Sequence, residues 1–155
     1  MHPKFAEVVE SLHPSFERLM AMEPLRGTPP PRKSTPKSGV YLFSEGQHHL
    51  YVGRSNRIAY RYALHCGSSA KQNQASFAWK LMAESVGHKA TYRRGEGRAD
   101  MILRPDYAEA FAAAKARIRS MDYRFVEESD QMRQALLEAY VCIALSTPYN
   151  DFNTH

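Results

Sequence analysis

The first apolar residues of the chain recur at the spacing of an amphipathic helix. They are Phe5, Val8, Val9, Leu12, Phe16, Leu19 and Met20. Pro14 lies within this pattern, and because proline cannot continue a helix through its interior, we predict a break there or the start of a second short helix. We expect the apolar residues to dock on the main domain. The Pro-rich basic stretch over residues 27–38 then predicts an extended connector.

Alternating apolar and polar residues after the connector predict an antiparallel β-hairpin. The apolar positions are Val40, Leu42, Leu50 and Val52. Residues 44–49 between the two runs are polar and include Gly46, which suits a turn. A third strand is predicted over residues 123–126.

Helical periodicity predicts the other elements. The predicted helices run from Asn56, as N-cap, to about Cys66, from about Ala75 to Val86, from Pro105 to about Arg119, and from a cap at Ser129 or Asp130 to about Leu145. The stripe expected to be buried on the last helix is Met132, Ala135, Leu136, Ala139 and Ile143. Trp79 lies on an apolar stripe and is interpreted as a core residue. Residues 88–104 fit either a basic hairpin or a mobile loop.

The composition is that of a globular protein. A length of 155 residues with 43% hydrophobic and 24% charged residues suits a single domain. Cys66 and Cys142 predict neither a disulfide framework nor a Cys-rich zinc site, and a reducing cytoplasm fits best. The N-terminal segment has no uninterrupted apolar run, so neither a signal peptide nor a membrane span is predicted. A formal charge of +5 and a pI near 9.3 favour a polyanionic partner.

Two sets of residues suggest chemistry. Arg57, Arg61 and His65 are each four residues apart, so a helix would align them in a stripe that is either a solvated basic face or a phosphate clamp. Glu138 has no cation three or four positions away on its predicted helix. Because a carboxylate in an apolar setting is costly unless it is paired, we expect Arg61 or a divalent ion as its partner, with a solvated glutamate as the alternative.

An ordered set of residues resembles the GIY-YIG nuclease family over roughly residues 38–152. In chain order the set is Gly39-Val40-Tyr41, Tyr51-Val52-Gly53, Arg61, His65, Glu138 and Asn150. Valine replaces isoleucine in both triplets and keeps a β-branched apolar side chain. Taken singly, the tyrosines would be ordinary strand residues and Asn150 a turn residue, so the joint order carries the resemblance.

The resemblance implies an α/β (α+β) fold with a small three-stranded antiparallel sheet flanked by helices. Residues 1–37 would be an N-terminal helical extension with its connector, and residues 38–155 the nuclease domain. A basic segment at about 88–119 would be an insertion, either an additional DNA-binding surface or a solvated basic segment.

The resemblance also implies a metal-dependent endonuclease that hydrolyses phosphodiester bonds of DNA. Glu138 would hold a single Mg²⁺ or Mn²⁺, and Tyr41, assisted by His65, would take a proton from the attacking water. The residues implied as catalytic are Tyr41, Tyr51, Arg61, His65 and Glu138, and those implied in substrate or phosphate binding are Arg54, Arg57, Arg61 and Asn150. The alternative function is a catalytically silent nucleic-acid-binding module on the same fold. RNA is the alternative substrate, and the protein could form a homodimer.

Overall fold

The computed structural model describes residues 1–152, and their contacts divide into two units. The first unit comprises residues 1–59 and 121–152, and the second comprises residues 60–120. The elements are α1 (Pro3–Glu10), α2 (His13–Ala21), β1 (Leu25–Arg26), β2 (Gly39–Glu45), β3 (His48–Ser55), α3 (Ile58–Cys66), α4 (Ser76–Val86), α5 (Arg98–Met101), α6 (Pro105–Arg119), β4 (Asp122–Glu127) and α7 (Gln131–Leu145). The fold is therefore α+β, with an antiparallel sheet.

Within residues 1–152 the sheet has four strands in the order β1-β4-β2-β3, so the prediction of three strands was wrong. The additional strand is β1, in which Leu25 pairs with Tyr123 and Arg26 with Asp122. The Arg26 guanidinium also donates to the Asp122 carboxylate. A strand of two residues is too short to show an alternating pattern, and this is why the sequence did not indicate it.

The predicted hairpin is confirmed. Glu45 pairs with His48, so Gly46 and Gln47 form the turn, and Gly46 has the left-handed φ of 59° that glycine adopts without strain. The strand β3 lies at the edge of the sheet.

The two faces of the sheet carry different side chains. One face contributes to a buried aliphatic core, whose members are Leu12, Leu19, Val40, Leu42, Val52, Val126, Leu137 and Val141. The opposite face carries a cluster of buried aromatic rings, because residues alternate between the faces of a strand. In that cluster, the ring centroid of Tyr41 lies 6.0 Å from that of Phe43 and 5.8 Å from that of Tyr123.

The helices bury different residues from those expected at two places. The break at Pro14 is confirmed, but α1 buries none of its residues, and Phe5 is 49% exposed. On α7, the buried residues are Gln134, Leu137 and Val141. Met132 and Ile143, which were expected to be buried, are 69% and 78% exposed. Apolar residues surround α7, so its sequence favoured the wrong face.

The starts of α3 and α7 differ in their capping. Asp130 caps α7 as predicted, because its side chain accepts from the Arg133 backbone N–H. Asn56 was the predicted cap of α3, but its side chain exchanges hydrogen bonds with Gln131 of α7. The Ser55 hydroxyl oxygen accepts from the Arg57 backbone N–H, directly before α3.

The second unit is built around α4 and α6. Trp79 is buried, with its ring centroid 6.1 Å from that of Phe111, which confirms it as a core residue. The buried face of α6 includes Tyr107, Phe111, Ala114 and Ile118, which have the spacing of one side of an amphipathic helix. Residues 88–104 form no strand within the part of the chain that the structure describes, and contain the four-residue helix α5.

Candidate active site

Gly53 of β3 lies directly beneath the ring of Tyr41. The two residues are cross-strand partners in the hairpin, so their side-chain positions share a face of the sheet. A Cβ atom at position 53 would collide with the hydroxyl oxygen and the ring of Tyr41. The glycine therefore allows the tyrosine hydroxyl to lie over the edge strand, although the Tyr41 side chain is almost fully buried.

Arg54 and Glu138 form an ion pair on the other face of the same strand. Arg54 Nε donates to Glu138 Oε2 across 3.1 Å, and the side chains are 43% and 21% exposed. Burial raises the pKa of Glu138, and the charge and hydrogen bond of Arg54 oppose that rise. The partner of Glu138 is thus the arginine that directly follows the second triplet, whereas the sequence suggested Arg61 or a metal ion.

Asn150 is bonded to the outer edge of β3. Its side-chain oxygen accepts from the Val52 backbone N–H at 2.9 Å, and its amide nitrogen donates to the Val52 carbonyl oxygen at 2.7 Å. The Thr147 hydroxyl also donates to the Asn150 oxygen, at 2.7 Å. The Tyr149 backbone N–H donates to the Leu50 carbonyl oxygen at 3.2 Å, so the segment after α7 follows the edge strand.

Three predicted site residues therefore meet three consecutive residues of β3. Asn150 bonds to Val52 at the outer edge, the Tyr41 hydroxyl lies over Gly53 on one face, and Glu138 pairs with Arg54. This arrangement places a hydroxyl, a carboxylate, a guanidinium and an amide around a short length of edge strand.

Tyr51 and Arg57 lie beside this group in the chain. Tyr51 pairs with Phe43 and is partly buried on the same face of the sheet as Tyr41. Arg57 is exposed at the start of α3.

Arg61 and His65 belong to the second unit. Arg61 donates from Nη1 to the Gln74 carbonyl oxygen at 3.0 Å. His65 is fully buried, and burial, followed by the nearby charge of Arg61, holds its pKa well below its ordinary value. The ring is therefore neutral at physiological pH, and it does not extend the row of cations that the spacing suggested.

Other cations of the second unit bind backbone carbonyls between the end of α3 and residue 74, a role that sequence reasoning missed. Lys115 donates to the Ser68 and Ala70 carbonyl oxygens at 3.0 and 2.9 Å. Arg98 donates to the Gln72 carbonyl oxygen at 3.2 Å, and Arg119 to that of Cys66. These cations were expected to form a DNA-binding surface or a solvated face, yet the three side chains bind backbone. No local pattern in the sequence signals such contacts.

The oxygen donors around Glu138 amount to one partly exposed carboxylate, one oxygen of which is bonded to Arg54. Within residues 1–152, no three His, Cys, Asp or Glu side chains group as a metal site. Mg²⁺ can be held by one or two carboxylates while water and substrate phosphate supply the remaining ligands. A metal ion at Glu138 would therefore have to use the carboxylate oxygen that Arg54 leaves unbonded, or displace Arg54.

Comparison of the chain with protein-family models, curated proteins and solved structures finds no match. The helices within residues 1–152 do not have the length and apolarity needed to cross a membrane.

Proposed function

We propose that this protein is a metal-dependent endonuclease that hydrolyses phosphodiester bonds of DNA. The observation that carries the proposal is the meeting of Asn150, Tyr41 and Glu138 at Val52, Gly53 and Arg54. The order of residues that resembles the GIY-YIG family supports it.

Because β3 lies at the edge of the sheet, a nucleic-acid phosphate could approach these side chains. Tyr41 and Glu138 approach opposite faces of the strand, and no further strand of the sheet lies beyond β3 within residues 1–152. A phosphate at this edge could be reached from both faces. Arg54, and Arg57 at the start of α3, would supply guanidinium donors to its non-bridging oxygens.

Tyr41 and Glu138 divide the chemistry in this proposal. Water attacks phosphorus, its proton goes to the Tyr41 oxygen, and the bond from phosphorus to the departing 3′ oxygen breaks. Tyr41 accepts that proton as a phenolate, or as a neutral hydroxyl that passes its own proton on to solvent water; the reference pKa of a tyrosine, about 10, makes the phenolate a minor form at neutral pH. A bound Mg²⁺ or Mn²⁺ would stabilise charge on the departing oxygen. Glu138 would hold the ion, and Tyr51 would orient the water or phosphate.

Burial at the proposed site favours a second candidate, a catalytically silent nucleic-acid-binding module. Tyr41 is only 1% exposed, and the Glu138 carboxylate already has a cationic partner. Such a module would bind nucleic acid with or without divalent ions.

Plasmid cleavage distinguishes the two candidates. Supercoiled DNA is incubated with Mg²⁺ or Mn²⁺ and either the wild type, Glu138→Gln or Tyr41→Phe. Metal-dependent nicking or linearisation that both variants lose supports the nuclease. The matched control is Tyr140→Phe, which removes a hydroxyl that lies 2.8 Å from His13 Nδ1, and which should retain cleavage.

The plasmid cleavage assay has two other outcomes that bear on the proposal. Equal cleavage by all variants indicates a contaminating nuclease. Absence of cleavage together with salt-sensitive DNA binding favours the silent module. Parallel assays with RNA of the same sequence test the alternative substrate.

A further inference from the structure

The segment from Lys89 to Arg94 lies on the surface of the second unit. All of its residues are exposed, and Tyr92 is 97% exposed. An aromatic ring so fully in water gains nothing from burial in the fold. The ring is therefore available to a ligand, and the neighbouring residues of the loop indicate which kind.

Both ends of this segment are anchored near Trp79. Before it, His88 Nδ1 lies 2.8 Å from the Tyr107 hydroxyl, and its ring packs edge-on against Trp79. After it, the Arg98 guanidinium lies 5.3 Å from the centroid of the Trp79 ring. Tyr92 is thus presented on a loop whose ends are fixed to a buried core residue.

Exposed cations precede and follow Tyr92 in the chain. Lys89 precedes Tyr92, and Arg93 and Arg94 follow it directly. The nearest acid in the chain is Glu96, whose carboxylate accepts from the Thr91 hydroxyl. The loop therefore carries one exposed aromatic ring with exposed cations before and after it in the chain.

An aromatic ring flanked by cations suits a nucleic-acid strand, because bases stack on the ring while phosphates bind the cations. In a regular duplex the faces of each base are covered by neighbouring bases. A stacking side chain therefore needs an unpaired base or one displaced from the helix.

We propose that residues 89–94 bind a nucleic-acid strand at an unpaired base, with Tyr92 stacked on the base and Lys89, Arg93 and Arg94 on the flanking phosphates. This rests on the proposed function for the class of ligand. It adds that the preferred substrate contains single-stranded or distorted DNA.

Binding without divalent ions tests this proposal separately from cleavage. Full-length Glu138→Gln protein is titrated in EDTA against three fluorescent DNA probes: a 12-nucleotide single strand, a blunt duplex, and a duplex with a three-nucleotide bulge. Adding Tyr92→Ala should weaken binding of the single strand and bulge roughly 5- to 150-fold, the range for loss of one stacked base. Blunt-duplex binding should change less than two-fold. Tyr92→Phe, which keeps the ring, should bind all three as the parent does.

Salt dependence tests the cations. The slope of log affinity against log salt is negative, and Arg93→Gln with Arg94→Gln should make it less negative by about 0.7 for each phosphate of single-stranded DNA that the protein no longer neutralises. The matched control is the pair Arg32→Gln and Lys33→Gln, which removes two exposed cations from the connector. It should leave the slope unchanged.

Two results would overturn the proposal. One is unchanged binding of Tyr92→Ala to the single strand and the bulge. The other is equal weakening on all three probes, which would indicate an interaction that does not recognise unpaired bases. Metal-dependent plasmid cleavage with unchanged Tyr92→Ala binding would reject this loop but retain the nuclease. If no cleavage occurs but Tyr92→Ala selectively weakens binding of the single strand and the bulge, the nuclease is rejected and the binding role of this loop is retained.

Discussion

Arg54 Nε and Glu138 Oε2 lie 3.1 Å apart, which joins the edge strand β3 to the last helix. Burial makes ionised Glu138 costly, and Arg54 offsets part of that cost. The ionisation of the proposed metal-binding carboxylate therefore depends on the residue after the second triplet.

Removal of this cation should shift the pH dependence of cleavage. Arg54→Met takes away the interaction that lowers the pKa of Glu138, so that pKa should rise further. The acidic limb of the cleavage profile should move to higher pH, because more alkaline solution is needed to ionise the carboxylate. Single-turnover rates between pH 5 and 8 measure this. Arg32→Met, at an exposed connector position, should leave the limb in place. A uniform rate loss without a shift would limit Arg54 to substrate binding.

Gly53→Ala should destabilise the fold through a clash with Tyr41. The new Cβ would meet the tyrosine ring and hydroxyl, and overpacking of this kind costs about 1–3 kcal/mol. The penalty should shrink in a Tyr41→Ala background, which a double-mutant cycle in urea measures. Gly97→Ala is the control, because its Cβ would meet only Asp100 Oδ2, at an ordinary 3.5 Å. Equal penalties in both backgrounds would contradict the close approach.

Asn150→Asp should destabilise the protein in a pH-dependent way. Ionised aspartate loses the donor to the Val52 carbonyl and places negative charge beside it, so its pKa should be raised in the folded state. A raised folded pKa means that the destabilisation diminishes as pH falls through that value and protonation restores a donor. Urea denaturation of Asn150→Asp and Asn150→Ala at several pH values measures the difference. Asn73→Ala, at an exposed position, should have little effect.

His65 should make the folded state sensitive to mild acid. Its folded pKa lies well below 6.5, so beneath about pH 6.5 the unfolded chain binds a proton that the folded chain does not. As the pH is lowered below about 6.5, the free energy of unfolding should therefore decrease, by up to about 1.4 kcal/mol per pH unit from this group. His65→Gln should remove this component, so its stability relative to the wild type should improve between pH 7.5 and 5. His48→Gln, at an exposed position, should follow the wild type. Parallel curves for all three would show that His65 does not titrate differently on folding.

The parts of the fold that sequence predicted best have strong local signals. The bounds of α6 follow from Pro105 and its apolar stripe, and the hairpin follows from alternation around Gly46. The partner of Glu138 did not follow, because Arg54 lies 84 positions away and no local spacing connects them. The buried face of α7 was wrong for a related reason, since apolar residues occur around the whole helix.

The bonds from Asn150 to Val52 have a consequence for association between copies of this chain. An exposed edge strand presents unpaired backbone groups on which another chain can add a strand, which is a route to aggregation. Both backbone groups of Val52 are already bonded to the Asn150 side chain, and Leu50 accepts from Tyr149. Asn150, implied above in phosphate binding, thereby also covers backbone groups on which a further strand could pair.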